Sequence, residues 1–541
     1  MPAFLVGTCL VTSTLMMDSF VYPKKLAFVT LSVILATFVI LTRRQIIVDK
    51  RWMTASVTLL LVYIFVRNLN RFNFDCVCLM GALLFLIALS QYEISEVCLA
   101  ITIELLVAAM AVMCLLQAFG FESHNGGLPL TASFENPTGL ASLMVSFFPF
   151  VIKRFLQTRG KTDLAILSLL LLILLLMQSR SGILSVIVVI AIMMSAKEKH
   201  LYRRAIFPAI FILGGSFVFL LCIKSDSTFG HLFIFGVSIP LMLKNSFLGG
   251  GFHTFTANYM EVQANYFATH SDDKLSWLAD NPSHPLCEYV SFLMQNGLVG
   301  VFILCICIGI FISHWYRHGM SIWHLCLVAI AVFSFFNYSF RYPHIWFFAL
   351  LSISQLTKSC PEELELKTVA IYVLLFFTLA TLLLMAKDVC FEYKWRLEWG
   401  KREKNLTAYR RLHARWNGNP YFLYNYAALL HHEFEYEESN ILLGKYIHYV
   451  DDYYTQLLLA ENHYARADYK KSIMHYLKAH QMCPNRFKPL QGMLRAYQKT
   501  GCHGMAYKTA KEIMGKREKV KSYTVSVIKA EAKKYLDDER K

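Results

Sequence analysis

Charge is what this chain has least of. Only 17% of its 541 residues are Asp, Glu, Lys or Arg, against roughly 25% in an ordinary soluble protein. The shortage is uneven. Residues 1 to 386 are apolar runs separated by short charged patches, whereas 387–541 are rich in Lys, Glu, Tyr and His. A wholly water-soluble fold is thereby excluded, and a membrane part with a soluble tail is expected. Paired C-x-x-C motifs at zinc spacing are also missing. Cys76, Cys78, Cys114, Cys222, Cys305 and Cys307 fall in apolar runs, where cysteine acts as a small hydrophobe, so no structural metal is expected. No basic n-region precedes the first apolar stretch, which reads as a retained helix rather than a signal peptide.

The net charge is +16, and much of it sits in short loops: Arg43-Arg44, Lys50-Arg51, Lys153-Arg154 and Arg203-Arg204. Such loop charges orient membrane helices and argue against a nucleic-acid partner. A bilayer-spanning helix needs about 20 mostly apolar residues. The candidate spans are 3–21, 26–42, 53–67, 73–91, 95–119, 137–152, 163–178, 181–196, 205–223, 297–314, 321–338, 341–357 and 367–386. With a cytoplasmic N-terminus, the basic loops at 43–51, 153–161, 197–204 and 314–318 share the cytoplasmic side. The segments 120–136, 179–181, 224–296 and 338–342 then face outward, as does the C-terminal domain. Lys24-Lys25 breaks the rule by falling on the outer side.

The long connection at 224–296 is the outlier, and long connections are usually functional. Its apolar stretch Phe229–Leu243 holds Gly236 and Pro240 and reads as a helix along the membrane surface. Gly249-Gly250-Gly251 follows, where backbone can turn sharply or approach another group closely. Tyr259, Gln263, Tyr266, His270, Trp277, Asp280, His284, Glu288 and Tyr289 make the remainder polar and aromatic. From about 420 the tail shows self-similarity at the 33- to 34-residue period of tetratricopeptide repeats. Glu435–Ser439 aligns with Asp468–Ser472, Ser472 with Ala506, and Tyr464 with Tyr497. The domains expected are 1–386, a membrane domain including the loop; 387–419, a linker helix; and 420–541, helical repeats.

Arg180, in Gln178-Ser179-Arg180-Ser181-Gly182, breaks two apolar runs. An arginine at membrane depth is costly and marks a functional site, and a guanidinium suits a diphosphate. A snorkelling arginine is the plainer reading. Arg341 sits in a second outward turn, Asn337–His344, where anchoring at the interface is the alternative. His284, in Asp280-Asn281-Pro282-Ser283-His284-Pro285, can take a proton from a hydroxyl near neutral pH, with Asp280 and Glu288 close in sequence; a solvated loop histidine is the bland alternative. His124, His231, His253 and His270 invite a metal, but they show no i, i+4 pairing. Glu135-Asn136-Pro137 is explained by capping of the next helix.

Four segments together resemble the O-antigen ligase superfamily. They are Phe134–Pro137, Ser179–Gly182, the Gly-rich run Asn245–Phe255, and Asn281–His284 through Glu288-Tyr289 and Gln295–Gly300. The apolar runs and the repeat period call for an all-α fold, a polytopic membrane bundle of about 12 to 13 transmembrane helices with a C-terminal helical-repeat (TPR-like) domain. The resemblance makes the bundle GT-C-like. It implies a metal-independent, cofactor-free transferase in a bacterial inner membrane, and the odd helix count then makes the repeat domain periplasmic. The donor is a glycan on an undecaprenyl diphosphate carrier, and the acceptor is lipid A core, another glycan or a protein hydroxyl. Arg180 then holds the diphosphate and His284 is the base. Arg341, His231, His253, Glu288, Asp280 and Asn136 are assigned to substrate binding, and the repeats to a protein partner. The chain departs from the family at Phe229-Gly230-His231, where an arginine is usual, and at His284-Pro285, where asparagine usually follows histidine. A polymerase of the same architecture differs only in its acceptor. A transporter calls for inverted repeats and mid-membrane charges, neither of which is seen. A scaffold leaves the aromatic loop without a purpose.

Overall fold

Apolar runs become helices wherever a polar side chain can close the ends. Asn73 accepts from the Asp75 and Cys76 amides, Ser95 from Cys98, and Asn136 from Gly139, each satisfying orphan donors of a first turn. A computed structural model describes residues 1–42, 46–49, 52–121, 130–195, 214–215, 218, 225–244, 246–270, 274–357, 363–366, 368–415 and 419–539. The basic pairs Arg43-Arg44, Lys50-Arg51 and Arg203-Arg204, His124, and most of the apolar run 205–223 lie outside these residues.

The described residues are almost wholly helical, in two compact units that cut across chain order. One comprises Met1–Ser225, Leu286–Phe292 and Leu298–Leu397; the other comprises Asp226–Pro285, Leu293–Gly297 and Glu398–Lys541.

The first unit holds α1 (Pro2–Leu10), α2 (Val21–Thr42), α3 (Trp52–Arg67), α4 (Phe74–Leu89), α5 (Glu96–Ala118), α6 (Pro137–Thr158), α7 (Lys161–Leu176) and α8 (Arg180–Ser195). Two helices of the second unit follow in sequence, α9 (Ser225–Lys244) and α10 (Thr254–Thr269). The first unit resumes with α11 (Glu288–His318), α12 (Ile322–Ser334), α13 (Pro343–Thr357) and α14 (Thr368–Gly400). β1 (Ile46–Asp49) and β2 (Glu363–Leu366) pair antiparallel, Ile46 opposite Leu366, which ties the α2–α3 and α13–α14 connections at one end. Among the described residues, five helices are long and apolar enough to cross a membrane: Val21–Thr42, Glu96–Ala118, Pro137–Thr158, Glu288–His318 and Ile371–Gly400.

Met53–Arg67, Phe74–Leu89, Arg180–Met194, Thr228–Lys244 and Ile322–Ser334 are apolar helices of 10–17 residues. Several apolar runs are cut short by polar turns. The expected helix over 3–21 stops at Leu10, and Asp18 accepts from the Phe20 and Val21 amides to start α2 instead. The apolar run at 367–386 continues as helix to Gly400.

Polar pairs distinguish the two ends of this unit. At one end Lys153 pairs with Glu96 at 2.5 Å, and Arg154 with Glu104 at 2.7 Å and Asp163 at 3.1 Å. At the other, Lys25 pairs with Asp75 at 2.5 Å, and Tyr22 donates to Asp388 at 2.5 Å. Loops at alternate ends are what an up-and-down bundle requires.

In the second unit α15 (Leu406–Arg415) leads into three helical hairpins and a closing helix. The hairpins are α16 (Pro420–His432) with α17 (Tyr436–Tyr446), α18 (Tyr453–Ala465) with α19 (Tyr469–Met482), and α20 (Lys488–Lys499) with α21 (His503–Gly515); α22 is Tyr523–Asp538. Ser439 donates to the Ala427 carbonyl at 2.8 Å, and Ser472 to Ala460 at 2.9 Å. The same bond thus closes successive hairpins at the aligned serines, and fully buried Ala506 takes the position in the third. The segment 226–285 is part of this same unit, packed with the hairpins.

Candidate functional site

The Arg180 turn is built by a break in helix geometry. Gln178 adopts φ +53° at the end of α7, a left-handed conformation that costs a side-chain-bearing residue roughly 1 to 2 kcal/mol. Ser179 Oγ then accepts from the Gly182 amide at 3.2 Å to start α8. Arg180 is half-buried in the first turn of α8, where a cation opposes the helix dipole and an anion is favoured.

The Arg341 turn lies at the same end, because Asn337 Nδ2 donates to Ser181 Oγ at 2.7 Å. Arg341 Nη2 meets Glu135 Oε2 at 2.9 Å. Burial raises the Glu135 pKa, and the Arg341 guanidinium pulls it back down. Glu288 joins them, accepting from the Phe340 amide. Thus Arg180, Arg341, Glu288 and Asn136 gather at one end of the membrane unit.

Asn136 is fully engaged there. Its Oδ1 accepts from Gly139 N and Tyr342 Oη, and its Nδ2 donates to Tyr338 Oη and Glu135. Its visible work is to join the start of α6 to the 338–342 turn.

Lys24 and Lys25 also stand at this end. Fully buried Lys24 donates to the carbonyls of Val11, Phe20 and Ser133, at 2.6 Å for the last, and lies 5.0 Å over the Phe134 ring. Lys25 is within electrostatic reach of Arg341. Sequence reasoning gave these lysines no role; their conflict with the positive-inside pattern was the signal. They are held by specific acceptors and need no orienting function.

The remaining candidates belong to the second unit. Gly249 at φ +75° and Gly297 at φ +62° lie back to back: a Cβ on Gly297 would sit 2.4 Å from the Gly249 nitrogen. Gly250 N donates to Met294 O at 2.9 Å, and Gly251 N to Gln295 O at 2.8 Å. Two motifs separated by the whole loop are therefore one backbone junction. His253, at φ +66°, follows it and sets its ring edge-on to Tyr449 at 5.6 Å. His231 sits half-buried on α9, and His270 stacks on Tyr266 at 4.6 Å. Among the described residues no group of three His, Cys, Asp or Glu is placed to hold a metal.

Asp280 meets the repeats. Its carboxylate pairs with Arg486 at 2.9 Å and its carbonyl accepts from Gln263 at 2.9 Å. His284 lies four residues on, half-buried in the extended stretch that ends this part of the unit. Gln263, Asn485 and Arg486 were not singled out as binding groups from sequence, because an amide or guanidinium that binds backbone leaves no spacing pattern. No family model matches the chain, and no curated protein matches it significantly.

Proposed function

We propose that this chain is a lipid-linked glycan transferase of the O-antigen ligase kind. It moves a glycan from an undecaprenyl diphosphate carrier to a hydroxyl of lipid A core or protein, on the periplasmic face of a bacterial inner membrane. The carrying observation is the Asn337–Ser181 bond, which brings two arginine-bearing turns to one end of a membrane unit. Two guanidinium groups there match the charge of a diphosphate. Diphosphate leaves readily once its charge is neutralised, so the protein has mainly to orient the donor and stabilise developing charge. His284 takes the proton of the incoming hydroxyl. On this reading the shorter apolar helices of the first unit cross the membrane beside the five long ones, in a GT-C-like bundle of about 12 to 13 spans. The hairpins are tetratricopeptide-like repeats.

The test is glycan profiling in a deletion strain complemented with wild type, Arg180→Ala or His284→Ala at matched protein levels. Both variants are expected to lose ligated glycan while lipid-linked donor accumulates. Shortened chains with ligation intact would instead assign a polymerase. Full activity of both variants removes the proposal.

A further inference from the structure

The loop at 254–285 and the α18–α21 hairpins meet along α10, which lies against α19. Gln263 is the buried centre of the contact, 1% exposed. Its Nε2 donates to Met482 O at 2.6 Å and Asp280 O at 2.9 Å, while its Oε1 accepts from Tyr259 Oη at 2.9 Å. Both amide hydrogens and the carbonyl oxygen are thereby engaged.

The turn between α19 and α20 binds the next stretch of loop. Asn485 Nδ2 donates to Ala279 O at 2.6 Å and Trp277 O at 3.3 Å. Arg486 bonds the Asp280 carboxylate and is itself held by the rings of Tyr453 and Tyr454 at 4.4 and 5.4 Å. Arg517 lies 4.7 Å over Trp277. The α17–α18 turn adds Asp452, which accepts from Asn281 Nδ2 at 2.9 Å, and the Tyr449 carbonyl, which accepts from Thr256 Oγ1 at 2.6 Å.

From the hairpins, Asn485 binds the carbonyls of Trp277 and Ala279, and Arg486 the carboxylate of Asp280. Gln263 of the loop bonds both the Asp280 carbonyl and the hairpin carbonyl of Met482. The peptide held in this way is the chain's own. We infer that the hairpins are the receptor for this loop, and that Gln263, Asn485 and Arg486 are positioning residues that fix 277–281 and so set His284. For activity this rests on the proposed function; the docking itself does not. Such groups act on catalysis only through the geometry they impose, since a small misplacement of a catalytic group is enough to slow reaction.

The test uses full-length protein in detergent or nanodiscs. Amide hydrogen exchange over 275–285 is compared for wild type, Asn485→Ala, Arg486→Asp and the swap Asp280→Arg with Arg486→Asp. Asn485→Ala is expected to speed exchange there about tenfold, from the loss of two bonds to backbone carbonyls. The swap is expected to restore much of what Arg486→Asp loses. In transfer assays the single variants should lower kcat with donor KM little changed, and the swap should recover kcat. Unchanged exchange in Asn485→Ala and Arg486→Asp overturns the docking whatever the activity. Faster exchange with unaltered kcat overturns the positioning role. If His284→Ala keeps full activity while the exchange results hold, the functional reading fails and the docking stands.

Discussion

Glu135→Gln separates a structural Arg341 from one that binds substrate. The pair is 2.9 Å apart with side chains 29% and 24% exposed, so Glu135 competes with any phosphate for the same guanidinium. A partly exposed ion pair contributes about 1 kcal/mol. Removing the carboxylate's charge is therefore expected to lower donor KM about fivefold. Arg341→Ala removes a charge-assisted contact of roughly 1.5 to 3 kcal/mol and should raise donor KM at least about tenfold. The assay is transfer from purified lipid-linked glycan in proteoliposomes, with each variant's folded amount fixed by size-exclusion chromatography. Burial raises the Glu135 pKa, so its charged form is disfavoured by the fold. That cost is relieved as pH falls through the folded value, and Arg341 is released at the same time. Wild-type donor KM should therefore fall on mild acidification, and that of Glu135→Gln should not. If Glu135→Gln and Arg341→Ala weaken donor binding equally, or if Arg341→Ala leaves KM unchanged, the guanidinium only holds two turns together.

Two further outcomes follow from the second unit. Gly297→Ala places a Cβ 2.4 Å from the Gly249 nitrogen at φ +62°, which should cost about 3 kcal/mol or more; exchange at Gly250 and Gly251 should rise sharply, and unchanged protection would show the junction to be slack. Burial first, then the stacked His463, Lys478 and Lys471, with Asp468 opposing them, together lower the His475 pKa from 6.5 to about 4. Because the folded value is depressed, the stabilisation from neutral His475 is intact above pH 6.5 and lost between 6.5 and about 4. The loss should reach roughly 1 to 2 kcal/mol after solvent screening, and His475→Gln should flatten that slope in hydrogen exchange over 453–482.

The amino-acid sequence by itself determined that most of the chain is apolar helix and that a polar helical tail follows. Composition and periodicity are local properties, and one bilayer-like or water-like environment acts on each segment separately. It also marked the Arg180 and Arg341 turns, since a charge between apolar runs stands out wherever it lies. Tertiary structure alone decided which distant pieces meet. The Gly249 and Gly297 motifs are recognisable singly, but only their backbone contact explains why neither tolerates a Cβ. Asp280 looked like a partner for His284 by proximity in sequence, yet it is held by Arg486, some two hundred residues away. Linear order places the loop inside the membrane domain, whereas packing groups it with the C-terminal hairpins. Such pairings depend on side-chain bonds to backbone carbonyls, which any amide or guanidinium can make, so no residue pattern announces them before the chain is folded.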